Sequence, residues 1–240
     1  MSGHSKWHNI QVRKGAQDAK KANVFTKYAK AITIAAQKGG DPATNFSLRL
    51  AVDKARAVGM PKDNIDRAIK RGTGELKGEA KMEEVLYEAY GPGGVAILIK
   101  AVTDNKNRTV SDLKHILNLH GGSFGSAGSV QWMFGQWGVV VVNKEQITIN
   151  KDKLELELIE AGAEDIGDSD GDIEIKTKVE NFQKVLHKLK ELGIEPKDSG
   201  IRWIAKDTTE IDRDTGGELG ELFTELESHD DVEDYFTNAE

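Results

Sequence analysis

The last apolar segment of the chain, Val232-Glu-Asp-Tyr-Phe236, constrains the fold more than any other. Its Val, Tyr and Phe suit a strand, and a strand needs neighbours to bury its faces and pair its backbone. The segments just before it do not supply them, because residues 138–204 already read as a complete unit. In order they give a strand at 138–142, a helix at 154–161, strands at 164–166 and 172–176, a helix at 179–192 and a strand at 201–204. This is the split βαβ arrangement of a ferredoxin-like domain.

The missing neighbours lie further back. Residues 81–90 and 95–102 read as two strands joined by Gly91-Pro92-Gly93-Gly94, a turn sequence. A helix follows from Asn107 or Thr109 and stops at Gly121-Gly122, and 130–134 reads as the next strand. This piece lacks a helix and has room for a further strand. Residues 219–227 and 232–236 provide one of each. The expected architecture is α+β with three domains: a three-helix domain at 1–78, then two ferredoxin-like α+β domains, a discontinuous one at 79–136 plus 205–240 and one at 137–204 inserted into it.

The helical domain reads as three short helices. Along residues 16–38, Phe25, Tyr28, Ile32, Ala35 and Ala36 fall on one stripe, and Lys20, Lys27 and Lys38 on another, with Lys30 beside them. Gly39-Gly40 and Asp41-Pro42 stop this helix. A second is capped by Thr44 or Asn45 and carries Leu48, Val52 and Ala55 inward, with Arg49 and Arg56 sharing a face. Pro61 suits the first turn of a third, which runs to about Arg71 with Ile65, Ala68 and Ile69 buried.

Charge separates this domain from the rest. Residues 1–71 hold 15 Lys and Arg against 5 Asp and Glu, a balance of +10, so the remainder carries −17 of the chain's net −7. A cationic module attracts polyanions, of which nucleic acid is the commonest in a cytosol. The candidate contacts are Lys6, Trp7, Arg13, Lys14, Lys20, Lys21, Lys27, Lys30, Arg49, Arg56, Lys62, Arg67, Lys70 and Arg71. The cations would meet phosphates and Trp7 could stack on an unpaired base. No helix shows a base-reading set of Asn, Gln and Arg, so sequence-specific readout is not expected.

Other functions find little support. The chain has no cysteine, which removes thiolate catalysis, disulfides and cysteine metal sites. The loop Gly121-Gly-Ser-Phe-Gly-Ser-Ala-Gly128 follows a helix and opens a strand, the reverse of a nucleotide-binding loop, and reads as a connection. The acidic turn at 167–171 lacks the glycine and terminal glutamate of a calcium loop. His4 and His8 have no carboxylate near them. Neither catalysis, a cofactor nor a metal site is expected. No apolar run is long enough to span a membrane and no secretory signal is recognisable, so a cytoplasmic location is expected.

Several motifs resemble the YebC/PmpR family. They are Gly3-His-Ser-Lys-Trp7, Gln17-Asp-Ala-Lys20, Phe25-Thr-Lys27 and the long block Met60-Pro-Lys-Asp-Asn-Ile-Asp-Arg-Ala-Ile-Lys-Arg-Gly-Thr-Gly74. Tyr90-Gly-Pro-Gly-Gly94, Thr103-Asp-Asn-Lys-Asn-Arg-Thr109, Gly128-Ser-Val-Gln-Trp-Met-Phe134 and Asn238-Ala-Glu240 add to them, so the resemblance covers the whole chain. It implies a helical domain and two α+β domains, the third inserted in the second. It also implies a DNA-binding transcriptional regulator or, as in relatives that act as translational activators or are linked to the ribosome, a factor binding ribosomal RNA. The acidic domains would then contact the ribosome or another protein. The chain departs from the family at Gly135-Gln-Trp137, where charged residues are usual.

Overall fold

The computed structural model describes residues 19–76, 78, 80–147, 149–169 and 171–240. The described residues form two compact units, one of residues 132–208 and the other of residues 19–131 with 209–240.

The larger unit begins with α1 (Ala19–Ala36), α2 (Phe46–Ala57) and α3 (Lys62–Gly72). Asn45 caps α2 by accepting the Leu48 amide at 3.1 Å, and Pro61 precedes the first turn of α3. Ile32, Ala36, Leu48, Val52, Ala55, Ile65 and Ala68 make the shared core. The C-terminal ends of α1 and α3 approach closely. A Cβ on Gly72 would lie 2.3 Å from the Thr33 carbonyl oxygen, so only glycine fits at this crossing. One turn back, Thr33 Oγ1 donates to Ala29 O at 2.8 Å and to Ala68 O at 3.2 Å, joining the two helices again.

The same unit holds a four-stranded antiparallel sheet in the order β3-β1-β2-β8, with β1 at Glu83–Tyr90, β2 at Ala96–Thr103, β3 at Ser123–Phe124 and β8 at Val232–Thr237. β8 lies against β2, with Tyr235 opposite Ile99. The C-terminal strand therefore finds its neighbour some 130 residues earlier in the chain, across the smaller unit. α4 (Lys106–Leu119) and α7 (Arg213–Ser228) cover one face of the sheet through Leu113, Ile116, Leu117, Leu219, Leu222 and Phe223. The central pair here is a hairpin, so this sheet reaches the two-layer build by a different connection from the ferredoxin-like one.

The expected strand at 130–134 does not form. Gln131–Met133 is a turn of 3-10 helix, and the edge of the sheet is the two-residue β3 inside the glycine-rich segment. The cause is Glu88, whose buried carboxylate accepts the amides of Gly128 (2.5 Å), Val130 (2.6 Å) and Gln131 (2.8 Å). Those donors would otherwise serve a ladder. They now wrap the loop around an internal anion.

The smaller unit consists of β4 (Phe134–Asn143), α5 (Lys151–Glu160), β5 (Ala163–Ser169), β6 (Asp172–Thr177), α6 (Phe182–Glu191) and β7 (Asp198–Ala205). Its strand order, β5-β6-β4-β7, is the ferredoxin-like one, antiparallel throughout. Val140, Val142, Ile173 and Ile175 meet Leu154, Leu158, Val185 and Leu189 in the core. β4 is twice the expected length, because the Gly-Gln-Trp stretch continues the ladder down to Phe134 opposite Ala205. The fold is thus α+β with a helical N-terminal part and two antiparallel sheets, and the ferredoxin-like piece interrupts the other sheet in sequence.

Candidate nucleic-acid interface

The helical part divides the fourteen expected contact residues into three groups. Lys6, Trp7, Arg13 and Lys14 lie outside the described residues, and for Lys20 and Lys21 only the backbone, at the start of α1, is described. Arg49, Arg56, Lys62, Arg67 and Lys70 are exposed. Lys27, Lys30 and Arg71 turn inward to differing degrees.

The exposed group sits on α2 and α3. Arg49 and Arg56 are seven residues apart, so they stand on one face of α2 about 10 Å from each other along the axis. The Arg49 guanidinium lies 5.3 Å from the centre of the Phe46 ring, which supports it from below. Arg56 is 3.6 Å from Asp53, an exposed pair of small energetic weight. On α3, Lys62 opens the helix while Lys70 and Arg71 close it. The terminal carbonyls there favour positive charge, and Asp63 occupies the first turn where negative charge is favoured. Lys38, just past the end of α1, is also exposed and adds a cation that the candidate set omitted.

Lys27 and Lys30 depart from the expectation of a phosphate-facing stripe. Lys27 Nζ donates to the Glu227 carbonyl at 2.7 Å, at the C-terminal end of α7, and Lys30 Nζ to the Asp230 carbonyl at 2.8 Å, in the turn that follows. Lys30 also meets Asp231 Oδ1 at 2.5 Å, with only 12% of its side chain exposed. Burial pushes the pKa of Lys27 down, against the pull of Glu227, Asp234 and Asp230. The physical reason is that α1 is covered on two sides. The apolar stripe faces α2 and α3, and the flank carrying Lys27 and Lys30 faces the end of the sheet. Arg71 is intermediate, 3.6 Å from Asp104 and 3.5 Å from the Ala80 carbonyl.

Asp231 is the centre of that inward contact. Its side chain is 4% exposed and also takes Thr109 Oγ1 at 2.8 Å, Thr103 Oγ1 at 3.3 Å and Arg108 Nη2 at 3.0 Å. Burial alone would raise its pKa. The hydrogen bonds from Lys30, Thr109 and Arg108 outweigh burial and hold the carboxyl far below the usual aspartate range.

Among the described residues no group of three His, Asp or Glu side chains is placed to hold a metal ion. Asp168, which the sequence placed in an acidic turn, lies at the end of β5 and is held by Lys144 at 3.2 Å and Lys151 at 3.0 Å. Among the described residues no helix is long and apolar enough to cross a membrane.

With these surfaces placed, comparison with known proteins decides the family. Residues 5–75 match the TACO1/YebC protein N-terminal domain, and residues 82–239 match the TACO1/YebC second and third domain. The chain belongs to the TACO1/YebC family. A relative from Maridesulfovibrio salexigens, called a probable transcriptional regulatory protein, is 51% identical and spans 100% of this chain and 96% of its own. One from Caldanaerobacter subterraneus with the same description is 47% identical, spanning 100% of this chain and 98% of its own. A crystal structure of a conserved hypothetical protein, Aq1575, from Aquifex aeolicus superimposes with a TM-score of 0.87. It is 37% identical and covers 98% of this chain and 97% of that one.

Proposed function

We propose that this TACO1/YebC chain is a non-enzymatic regulator of gene expression that binds nucleic acid through the outward faces of α2 and α3. The observation that carries this reading is the exposed set Arg49, Arg56, Lys62, Arg67 and Lys70 on two adjacent helices. In sequence it continues a segment rich in cations, with Lys6, Arg13, Lys14, Lys20 and Lys21. Phosphate contact needs no base-reading geometry, and exposed cations on a rigid helical scaffold supply the attraction and fix the register. The names of the relatives support a regulatory role. The acidic α+β parts repel a phosphate backbone and are left to contact protein.

Duplex DNA and ribosomal RNA are the two ligands this surface fits. Crosslinking in cells, with sequencing of the bound DNA and RNA and mapping of the crosslinked peptides, separates them. Sedimentation with ribosomes gives an independent readout. The expected result is crosslinked peptides from residues 46–71, with one nucleic-acid class dominating. Crosslinks confined to other proteins would contradict the reading.

A further inference from the structure

The close crossing of α1 and α3 has an opposite end. The two helices run in the same direction and touch at Gly72, Thr33 and Ala36, where a side chain on Gly72 would collide with the Thr33 carbonyl and the Ala36 Cβ. On the N-terminal side of Gly72 a cavity of about 380 Å³ lies between them. Phe25 and Ala29 line it from α1, Asn64, Arg67 and Arg71 from α3, and Met60 and Met82 from the flanking chain.

We infer that this cavity takes one unpaired nucleotide of a bound strand. The inference rests on the nucleic-acid reading above and names the form of ligand that the site selects. Three features argue for it. The volume falls in the range of small-ligand sites, roughly 300–1,000 Å³, which suits one base with its sugar and excludes a stacked duplex. The walls combine an aromatic ring, two thioethers and two alanines with two threonines and a single carboxamide. A base needs that mixture: a surface for its face, and a donor with an acceptor for its edge. The charge has one sign. Lys30, Arg67 and Arg71 line the cavity, and none of the described residues lining it is acidic.

These groups divide the work. Lys30 is committed to Asp231, and Thr33 Oγ1 to the two helices, so neither reaches a ligand. Arg67 and Arg71, one turn apart on α3, stand on the flank that also carries Asn64. Arg71 is drawn towards Asp104 and the Ala80 carbonyl, so it adds charge at the rim, and the planar Arg67 guanidinium suits a phosphate beside an extruded base. Phe25 is half-buried, packed against the helical core, and its remaining ring surface lines the cavity. A base inside a regular helix is stacked and cannot enter. The ligand must therefore carry a bulge, a loop or a single-stranded stretch.

The test compares two short duplexes of equal length, one fully paired and one with a single bulged 2-aminopurine, titrated with the full chain. Base–aromatic stacking makes the bulged probe bind about tenfold tighter, with quenching of the 2-aminopurine emission. Phe25→Leu keeps the apolar volume and removes the ring. Asn64→Ala changes an exposed position without touching the core. Both variants should bind the paired duplex as the parent does and lose the preference for the bulge, with Phe25→Leu also losing the quenching. Equal affinity for the two probes, or an intact preference in both variants, would overturn the inference while leaving phosphate binding standing. Failure of the parent chain to bind either duplex would remove both readings together.

Discussion

Lys30 Nζ meets Asp231 Oδ1 at 2.5 Å across 201 positions of sequence, and both side chains are nearly withdrawn from solvent. The contact ties α1 to the turn between α7 and β8. Through Thr103, Thr109 and Arg108 it also ties the end of β2 and the start of α4. It explains why the helical part packs with the discontinuous sheet as one compact unit.

Asp231→Asn should therefore cost about 3 kcal/mol near neutral pH, since it leaves the Lys30 ammonium buried without its counter-charge. The sign of the pH dependence follows from the direction of the shift. Asp231 is held below its unfolded-state value of 3.8, so its contribution is complete above that pH and is lost as the pH falls through the folded value. Urea unfolding of parent and variant should give a constant stability difference from neutral pH down to that point, and a shrinking one below it.

Glu88→Gln should destabilise by about 1–3 kcal/mol, because an amide offers one acceptor where the carboxylate offers two and sets an NH₂ against backbone donors. Burial raises the pKa of this carboxyl, and the amides of Val130, Gly128 and Gln131 overcome that and lower it. Limited proteolysis should show earlier cleavage within residues 121–131 in the variant. An unchanged cleavage pattern and midpoint would show that the loop does not depend on its internal anion.

Gly72→Ala tests the helix crossing. Alanine is the better helix former by about 1 kcal/mol, so an uncrowded site would be stabilised. Here the new Cβ meets the Thr33 carbonyl oxygen at 2.3 Å, and the helices must part. The expected result is a net loss of about 1–3 kcal/mol, read by thermal or urea unfolding.

The sequence exposed the parts of this fold that depend on local pattern. A strand at 232–236 with no adjacent partner pointed to an insertion, and β8 does pair with β2. Asn45, Pro61 and the glycine stops placed the helices to within a few residues. What it could not show was which lysines of the single stripe on α1 meet solvent. Lys27 and Lys38 carry the same charge at helical spacing, yet Lys27 is covered by the end of α7 and Lys38 is exposed. That choice is made by residues some 200 positions away. The strand expected at 130–134 failed for a similar reason. Its apolar residues suit a strand, but its amides go to Glu88, which sits on β1 and carries no local signal. Asn64 was absent from the candidate set because a lone exposed amide in a basic helix acquires meaning only beside the cavity it lines.

The most direct test of the cationic surface is the salt dependence of duplex binding, measured for the full chain and for the variant with Arg49, Arg56, Lys62 and Lys70 all changed to Glu. If the exposed cations hold phosphates, the parent should show a log–log slope of about −4 to −5 on B-DNA. The variant, folded as judged by its unfolding midpoint, should lose at least about a hundredfold in affinity together with most of that slope. A folded variant with the parent's affinity and slope would contradict the assignment of this surface.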